Sequence, residues 1–239
     1  SPPRPTIVLD RRQRQMCIRD RTRSHSAHDG FVIFDANCRS CDRLAGFLDD
    51  VSDRYPDYYC RPVPPFGDER ARFLIVGLAP GMHGANRTGR PFTGDHAGIL
   101  LYQMLHKYGF ATRDHSESAD DGLELVDCRI TNAVKCLPPD NKPVGAEINT
   151  CNAFLASELQ TVDEDAVVMA LGGIAHRAII KALGRRQADY KFGHAALHDL
   201  GRFRLLDSYH CSRYNTNTGR LTEVMFDAIF AQARELLDK

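Results

Sequence analysis

Residues 73–108 read FLIVGLAPGMHGANRTGRPFTGDHAGILLYQMLHKY, and this stretch decides the fold. The apolar run Phe73–Gly77 predicts a buried strand, and apolar residues that recur at intervals of three and four over residues 97–108 predict a helix. Between them, residues 77–95 form a glycine-rich turn whose backbone can approach a ligand closely. The turn contains neither the P-loop pattern nor the G-x-G-x-x-G dinucleotide fingerprint, so on its own it identifies no ligand.

The same alternation of a short apolar run with a longer helical pattern continues along the chain. It is typical of βαβ units around a mostly parallel sheet in one α/β domain. The pattern predicts strands at residues 73–77, 125–134, 166–171 and 203–209, and helices at residues 97–108, 146–159, 173–183 and 222–237. Because ligands bind such sheets at the carboxyl ends of the strands, we expect three segments to meet at one rim: residues 77–95, 131–139 and 208–219.

The composition narrows the class of protein but not its partner. With 239 residues, of which 43% are hydrophobic, the chain can bury one substantial core. Lys plus Arg and Asp plus Glu both total 31, so the net charge gives no sign of a polyanionic partner. No apolar run is long enough to predict a membrane span, and we expect a soluble, intracellular protein of the cytoplasm.

The first 30 residues differ in composition from the rest. They are polar, rich in Arg and aperiodic, and they cannot bury enough surface to offset the entropy of ordering them. We expect residues 1–30 to be disordered or foreign to the natural chain, and residues 31–239 to form the single globular domain.

The cysteines divide into spaced and unspaced residues. Two spaced pairs, one a C-x2-C pair and the other with 14 residues between its members, could meet in space: Cys38 with Cys41, and Cys136 with Cys151. Four thiolates can hold either a tetrahedral zinc ion or a 4Fe–4S cluster, and the spacing leaves both open. The unspaced residues are predicted to be small buried hydrophobes: Cys60, Cys128 and Cys211.

Together with these cysteines, three motifs resemble the uracil-DNA glycosylase superfamily and, within it, family five. The motifs are GLAPGMHGANRTGRPFTGD at residues 77–95, ITNAVKC at residues 130–136 and HCSRYNTNTGRLT at residues 210–222. The resemblance begins at about residue 37 and extends to the C-terminus. It implies a three-layer α/β/α fold with a central four-stranded parallel sheet, and it selects a 4Fe–4S cluster over zinc for Cys38, Cys41, Cys136 and Cys151.

The implied activity is that of a monofunctional DNA glycosylase in base-excision repair. Such an enzyme extrudes uracil or another damaged base from double-stranded DNA and hydrolyses its N-glycosidic bond, which leaves an abasic site. No lysine is placed for a lyase step. The resemblance further implies a monomer that is associated with the nucleoid of a prokaryotic-type cell and not with a membrane.

The resemblance also assigns a base pocket to the three motifs. Phe92 would stack on the extruded base, and Asn132 would donate to O4 and accept from N3–H of uracil, a pattern that cytosine reverses. His210 would donate a hydrogen bond to O2 of the base as negative charge collects there. The remaining pocket positions are small residues of the first motif: Gly77, Ala79 and Gly81.

Two departures within the first motif bear on the mechanism. Leu78 and Ala79 cannot bind the attacking water, so Asn86, with Asp95 as a second candidate, is expected to take over that catalytic role. Gly81 stands where the uracil-specific family has a Tyr that blocks the 5-methyl group of thymine. The pocket should therefore admit several bases, including hypoxanthine, xanthine and ethenocytosine.

The last motif and several basic residues are expected to contact DNA. His210-Cys211-Ser212-Arg213 replaces the more usual His-Pro-Ser-Pro, which removes two prolines that stiffen the loop. Tyr214 stands where other families place the wedge that fills the vacated base stack. The residues expected to contact phosphates are Arg87, Arg90, Lys135, Ser212, Arg213 and Arg220.

Two other functions remain open from the sequence. Ala79 and the altered loop after His210 also suit an iron–sulfur DNA-binding protein of the same fold that has lost catalysis. A zinc-stapled nucleotide hydrolase of an unrelated class is the second alternative.

Overall fold

A single mixed sheet lies at the centre of the computed structural model, which describes residues 31–239. Within these residues the strands are β1 (Phe66–Gly67), β2 (Phe73–Gly77), β3 (Cys128–Asn132), β4 (Val167–Leu171), β5 (Leu197–Asp199) and β6 (Arg204–Ser208). Their order across the sheet is β1-β3-β2-β4-β6-β5. The expectation for residues 1–30 lies outside the described residues.

The sheet has six strands in the described part of the chain, so the prediction of four strands was incomplete. The four predicted strands form its parallel centre, in the order β3-β2-β4-β6. The two additional strands pair antiparallel at the edges, β1 with β3 and β5 with β6. Each edge strand has only two or three residues and is not fully buried, so neither produces an apolar run that the sequence pattern could reveal.

Seven α-helices are present within residues 31–239, and the four predicted ones match to within one residue at each end. The helices are α1 (Asp42–Arg54), α2 (Ala85–Thr88), α3 (His96–Lys107), α4 (Gly145–Gln160), α5 (Gly173–Ala182), α6 (Arg213–Asn217) and α7 (Glu223–Leu237). Side chains cap the N-termini of two long helices. At α3 the Asp95 carboxylate accepts a hydrogen bond from the backbone N–H of Gly98, and at α7 the Thr222 hydroxyl accepts one from the backbone N–H of Met225.

The helices cover both faces of the sheet, as predicted. Alternate residues of β2 point to opposite faces, so Phe73 and Ile75 pack with α3 and α7 while Leu74 and Val76 pack with α4 and α5. All five residues of β2 are buried, as expected of a central parallel strand. The three-layer α/β/α fold is confirmed, and residues 32–239 form one compact unit.

The predicted strand over residues 125–134 is longer than the strand that forms. Asp127 has a φ of 50°, in the left-handed region, so the chain turns immediately before β3. The apolar residue Leu125 instead forms an isolated antiparallel bridge with Ala111. The segment predicted as one strand therefore contains a turn that its pattern of apolar residues does not reveal.

The order of the strands determines where a ligand can bind. After β2 the chain crosses to β3 on one side and then to β4 on the other, so β2 lies at the switch point of the sheet. Open α/β sheets bind ligands outside the carboxyl ends of the strands at such a point. None of the helices in the described part of the chain is long and apolar enough to span a bilayer.

Candidate active site

A cavity of about 470 Å³ lies at the carboxyl ends of β2, β3, β4 and β6. This volume is within the roughly 300–1,000 Å³ that is usual for small-molecule sites. All three segments that were expected to meet at one rim contribute to its wall, which confirms that expectation. The predicted site residues that line it are Ala79, Gly81, Phe92, Asp95, Asn132, His210, Ser212 and Arg213.

One wall of this cavity was not predicted from the sequence. Gly172 and Ile174 line it directly after β4, and Asn141 and His96 lie at its edge. The signal for the first pair was available, because the residues after a predicted parallel strand lie at the same rim as those after its neighbours. Asn141 offers no such signal, since its φ of 56° and its position come from a short 3₁₀ turn.

Gly77 packs closely beneath Asn132 and Phe92, two residues of the cavity wall. Gly77 and Asn132 are paired across the β2–β3 register, and a β-carbon on Gly77 would overlap Oδ1 of Asn132 and lie 2.6 Å from Cζ of Phe92. Gly77 therefore does not line the cavity itself but allows the other two side chains to approach its backbone. The Asn132 side chain is almost fully buried, and its Oδ1 has no hydrogen-bond partner among the described residues.

His210 faces this group from the end of β6. Its ring centre lies 5.9 Å from that of Phe92, with 30° between the ring planes, and its Nδ1 is buried without a partner in the described residues. Burial lowers the pKa of His210 to about 4, so the imidazole is neutral near pH 7. Two buried polar atoms, Oδ1 of Asn132 and Nδ1 of His210, thus have unused hydrogen-bonding capacity at one cavity, which is unusual in a folded protein.

The two candidates for positioning water occupy different places. Asp95 lines the cavity: its Oδ1 accepts from the N–H of Gly98 at 2.8 Å, and its Oδ2 faces Gly81 and Gly84. Burial raises the pKa of this carboxyl above its ordinary value. Asn86 is fully buried in α2, outside the cavity wall, with its Nδ2 3.5 Å from Sγ of Cys60. The geometry therefore favours Asp95, and the prediction that ranked Asn86 first is not supported.

Gly81 leaves space at the cavity wall. A β-carbon at this position would meet only Oδ2 of Asp95, at 3.5 Å, which is ordinary van der Waals contact. The backbone of Gly81 also has no positive φ, so a larger side chain could be accommodated here without strain. The absence of a side chain at Gly81, rather than its backbone conformation, enlarges the cavity.

Comparisons with known proteins identify the family of this chain. The family model of the uracil DNA glycosylase superfamily matches residues 64–234. A type-5 uracil-DNA glycosylase of Thermus thermophilus is 44% identical over 87% of this chain and 97% of its own length. Those of Pyrobaculum aerophilum and Mycobacterium tuberculosis are 45% and 43% identical over 82% and 83% of this chain, and over 87% and 78% of their own lengths.

The chain is a type-5 member of the uracil-DNA glycosylase superfamily. These comparisons confirm the resemblance to family five that the motifs and cysteines indicate. They also confirm that the chain belongs to a family of glycosylase enzymes.

Two of the basic residues expected to contact DNA in this type-5 member are buried and paired instead. The guanidinium of Arg90 lies 2.5 Å from Asp121 and also donates to Thr93 and Ser116. Lys135 is 1% exposed, and its Nζ lies 2.6 Å from Oε1 of Glu158. Neither cation can reach a phosphate, so the assignment of both to DNA contacts was wrong. Their partners lie 31 and 23 residues away in sequence, which the sequence pattern does not reveal.

The other candidates for DNA contact remain at the surface. Arg213 lies at the mouth of the cavity and Tyr214 is 72% exposed, both at the start of α6. Ser212 caps that helix by accepting from the N–H of Asn215. Arg87 is exposed and donates to the carbonyl of His83, and the Arg220 guanidinium lies over the Tyr209 ring. Arg213 and Tyr214 are the two that lie beside the cavity and are free to meet a strand of DNA.

The four spaced cysteines of this type-5 member surround a second, smaller cavity of about 160 Å³. Its lining includes Cys38, Cys41, Cys136 and Cys151. Cys41 caps α1 and Cys151 lies in α4, and the two helices are joined by the bidentate ion pair of Arg43 with Glu147, at 2.7 and 2.8 Å. The backbone N–H of Lys135 donates to Sγ of Cys151 at 3.2 Å. The predicted convergence of the two cysteine pairs is therefore present in the fold.

The four thiols are enough ligands for either a tetrahedral zinc ion or a 4Fe–4S cluster. A tetrahedral zinc ion with Zn–S bonds of about 2.3 Å holds its sulfur atoms about 3.8 Å apart, whereas a 4Fe–4S cluster, with eight core atoms, is larger. Among the described residues, no three of these sulfur atoms lie within 4.8 Å of one another. Burial raises the pKa of Cys136 to about 12 and that of Cys151 to about 11, because the loss of hydration disfavours the thiolate.

The unspaced cysteines behave as predicted in two of three cases. Cys128 and Cys211 are fully buried in the core. Cys60 is only partly buried and has a φ of 45°, and it accepts from the side chain of Asn86. It joins the turn before β1 to α2 rather than filling the core.

Proposed function

We propose that this chain is a DNA glycosylase that extrudes uracil from double-stranded DNA and hydrolyses its N-glycosidic bond, leaving an abasic site for base-excision repair. The observation that carries the proposal is a pair of buried polar atoms without partners among the described residues, Oδ1 of Asn132 and Nδ1 of His210, on side chains that line one cavity with the Phe92 ring. Buried polar groups without partners cost free energy, and an extruded base would supply the partners that the protein lacks. Family membership supports the same reaction.

Recognition of uracil rests on the side-chain amide of Asn132. The amide would donate to O4 and accept from N3–H, and Phe92 would stack on one face of the base. Cytosine presents a donor and an acceptor in the reverse order, so a fixed amide rejects it. The close packing of Gly77 under Asn132 supports a fixed orientation, because the amide has little room to move.

Cleavage of the glycosidic bond requires a donor to the base and an activated water. A neutral His210 carries one N–H to donate to O2, where negative charge collects as the C1′–N1 bond breaks. Asp95 would orient the attacking water through Oδ2, because its other oxygen is held by the N-terminus of α3. No lysine lines the cavity in the described part of the chain, which supports simple hydrolysis without a lyase step.

The substrates are proposed to extend beyond uracil to hypoxanthine, xanthine and ethenocytosine. The support is the open space beside Gly81, where a bulky side chain would narrow the cavity. The DNA partner is proposed to be duplex, bound by a monomer, with Arg213 near a phosphate and Tyr214 as the wedge beside the cavity.

The 4Fe–4S cluster is proposed to be bound by Cys38, Cys41, Cys136 and Cys151. Its contribution would be structural, because the four thiols belong to the segment just before α1, to the segment after β3 and to α4, and lie outside the base cavity. Protein that is purified anaerobically should show the visible absorbance of an iron–sulfur centre. Replacement of Cys41 by Ser should remove that absorbance and lower the melting temperature.

The experiment that tests the function is single-turnover cleavage of duplexes that contain one uracil, hypoxanthine or ethenocytosine. Wild-type protein should break all three at the modified position after alkali, and Asn132→Asp should lose uracil cleavage by roughly 10- to 100-fold, the effect of 1–3 kcal/mol for a broken buried hydrogen bond. Gly81→Leu should reduce cleavage of the two larger bases more than that of uracil. Tight binding of the uracil duplex without any cleavage would instead establish a DNA-binding protein that has lost catalysis.

A further inference from the structure

Three ligand-type side chains that the proposed function does not use converge on one another outside the base cavity. His176 lies on α5, His198 on β5 and Asp207 on β6. His176 Nδ1 is 2.8 Å from Oδ1 of Asp207, and His198 Nε2 is 3.2 Å from Oδ2. One ligand atom from each residue lies within 4.8 Å of the others. None of the three lines the base cavity or the cysteine cavity in the described residues.

Asp207 lacks a permanently charged partner. Its side chain is fully buried, and within residues 31–239 the only ion-pair partners it has are the two histidines. A buried carboxylate without a compensating charge is destabilising, and neutral imidazoles carry no formal charge. Asp207 also accepts from the backbone N–H of Gly193 at 3.4 Å, and a positive charge at this position, from a proton or from a metal ion, would stabilise the carboxylate further.

The orientation of His176 places a lone pair where a cation would be bound. Its Nε2 lies 2.9 Å from the carbonyl oxygen of Tyr190, which can only accept, so Nε2 carries the hydrogen. In the neutral ring, Nδ1 then presents a lone pair directly to a carboxylate oxygen. Histidines that bind metal ions are oriented in this way, by donation from the other ring nitrogen to a backbone carbonyl.

We propose that His176, His198 and Asp207 form a zinc site that is distinct from the four-cysteine site. Two histidine nitrogens and one carboxylate are ligands that Zn²⁺ accepts, at about 2.0–2.2 Å. Two imidazoles on one tetrahedral zinc ion have ring centres roughly 5 Å apart at that bond length, and the His176 and His198 centres are 5.4 Å apart. Asp207 can supply a third and a fourth donor atom. The His198 side chain is 14% exposed, which gives the ion a path into the site.

The position of the site indicates a structural role. Asp207 lies on β6, three residues before His210, and His176 lies on α5, two residues after Ile174, which lines the cavity. A zinc ion that binds both would connect two walls of the base cavity and fix them to the edge strand β5. The proposal does not depend on the glycosylase activity, because it concerns only what these three side chains bind.

The test compares zinc content in three proteins: wild type, His198→Gln and His115→Gln. His115 is an exposed histidine outside the cluster and serves as the matched control. Each protein is equilibrated with zinc chloride, freed of unbound metal by gel filtration and assayed by mass spectrometry. Wild type and His115→Gln should each carry one zinc equivalent per chain more than His198→Gln. This difference isolates the site even if the four cysteine thiols also take up zinc. Equal zinc content in all three would overturn the proposal.

The zinc ligands can also be identified in the wild-type protein alone, which keeps the proposal testable if His198→Gln folds poorly. The X-ray absorption of zinc-loaded protein should show a shell of nitrogen and oxygen at about 2.0–2.1 Å with imidazole scattering. A shell of sulfur alone at about 2.3 Å would place all the zinc on cysteines and refute the site. Zinc should also raise the melting temperature of wild type more than that of His198→Gln.

Discussion

The side-chain amide of Asn132 lies directly over the α-carbon of Gly77, so close that a β-carbon at residue 77 would overlap its Oδ1. These two residues are register partners at the ends of β2 and β3. The strand pairing at the centre of the sheet therefore determines where the base-recognising amide lies. This placement of the amide requires that residue 77 have no side chain.

Replacement of Gly77 by Ala should displace Asn132 and Phe92 together. We expect the single-turnover rate on uracil duplexes to fall by about 100-fold, since displacement of a reacting group by about 1 Å costs that much. Overpacking should cost roughly 1–3 kcal/mol of unfolding free energy. Gly46→Ala is the control, because a β-carbon there meets nothing within 4 Å in an exposed part of α1. It should leave the rate unchanged and stabilise the fold by up to about 1 kcal/mol.

Replacement of Asp95 by Asn separates water activation from helix capping. Asn caps helices as well as Asp does, so the melting temperature should change little, whereas the single-turnover rate should fall by roughly 10²–10⁴-fold. Because burial raises the pKa of Asp95, the acid limb of the wild-type rate profile should lie above the ordinary value for Asp. Asn86→Ala should lower stability and not the rate. A larger rate loss in Asn86→Ala than in Asp95→Asn would return the catalytic role to Asn86.

The lowered pKa of His210 predicts a particular dependence of stability on pH. The folded-state value of about 4 lies below the ordinary 6.5, so the unfolded chain binds the proton first as the pH falls. The contribution of His210 to stability is therefore complete above pH 6.5 and is lost as the pH falls towards 4, with a slope approaching about 1.4 kcal/mol per pH unit. Urea unfolding of wild type and His210→Gln between pH 4.5 and 7.5 measures it. A stability difference that does not vary with pH would show that His210 is not desolvated as the structure indicates.

Replacement of Arg90 should change the stability of the protein and not its DNA binding, whereas replacement of Arg213 should change DNA binding and not stability. Arg90→Gln leaves Asp121 without its cation and should cost roughly 3–5 kcal/mol of unfolding free energy, with no change in the salt dependence of DNA affinity. Arg213→Gln should leave the melting temperature unchanged and reduce the slope of log K against log salt by about one. Binding titrations at several salt concentrations and thermal unfolding distinguish the two residues. A reduced slope for Arg90→Gln would contradict its structural assignment.

Strands and helices were predicted from the sequence where the local pattern of apolar residues is strong. The four central strands and four long helices each bury a full face, so periodicity revealed them. Helix α1 also has this pattern, with Leu44, Leu48 and Val51 on its buried side, but it was not recognised. The edge strands β1 and β5 are too short to have a period, and only their partners in the sheet define them.

Site residues were predictable where the chain order places them at a strand end, as for Asn132 and His210. Arg90 and Lys135 were not, because a charged residue is normally exposed and only a distant partner reveals that it is buried. Asp95 and Asn86 could not be ranked from sequence for a related reason. Both are polar residues in one turn, and only the direction of the chain through α2 and α3 places one inside the cavity and the other outside it.

The ion pair of Arg43 with Glu147 joins parts of the chain that are 104 residues apart. Closing so long a loop lowers the entropy of the chain, and other interactions must offset this loss before the four cysteine thiols can come together. Protein contacts contribute to this closure, since the ion pair and the packing of Leu44 against Val134 and Cys151 hold α1 beside α4 and the segment after β3. The loss of chain entropy on closing the loop would then be offset jointly by these contacts and by the bonds of the four cysteines to the proposed cluster.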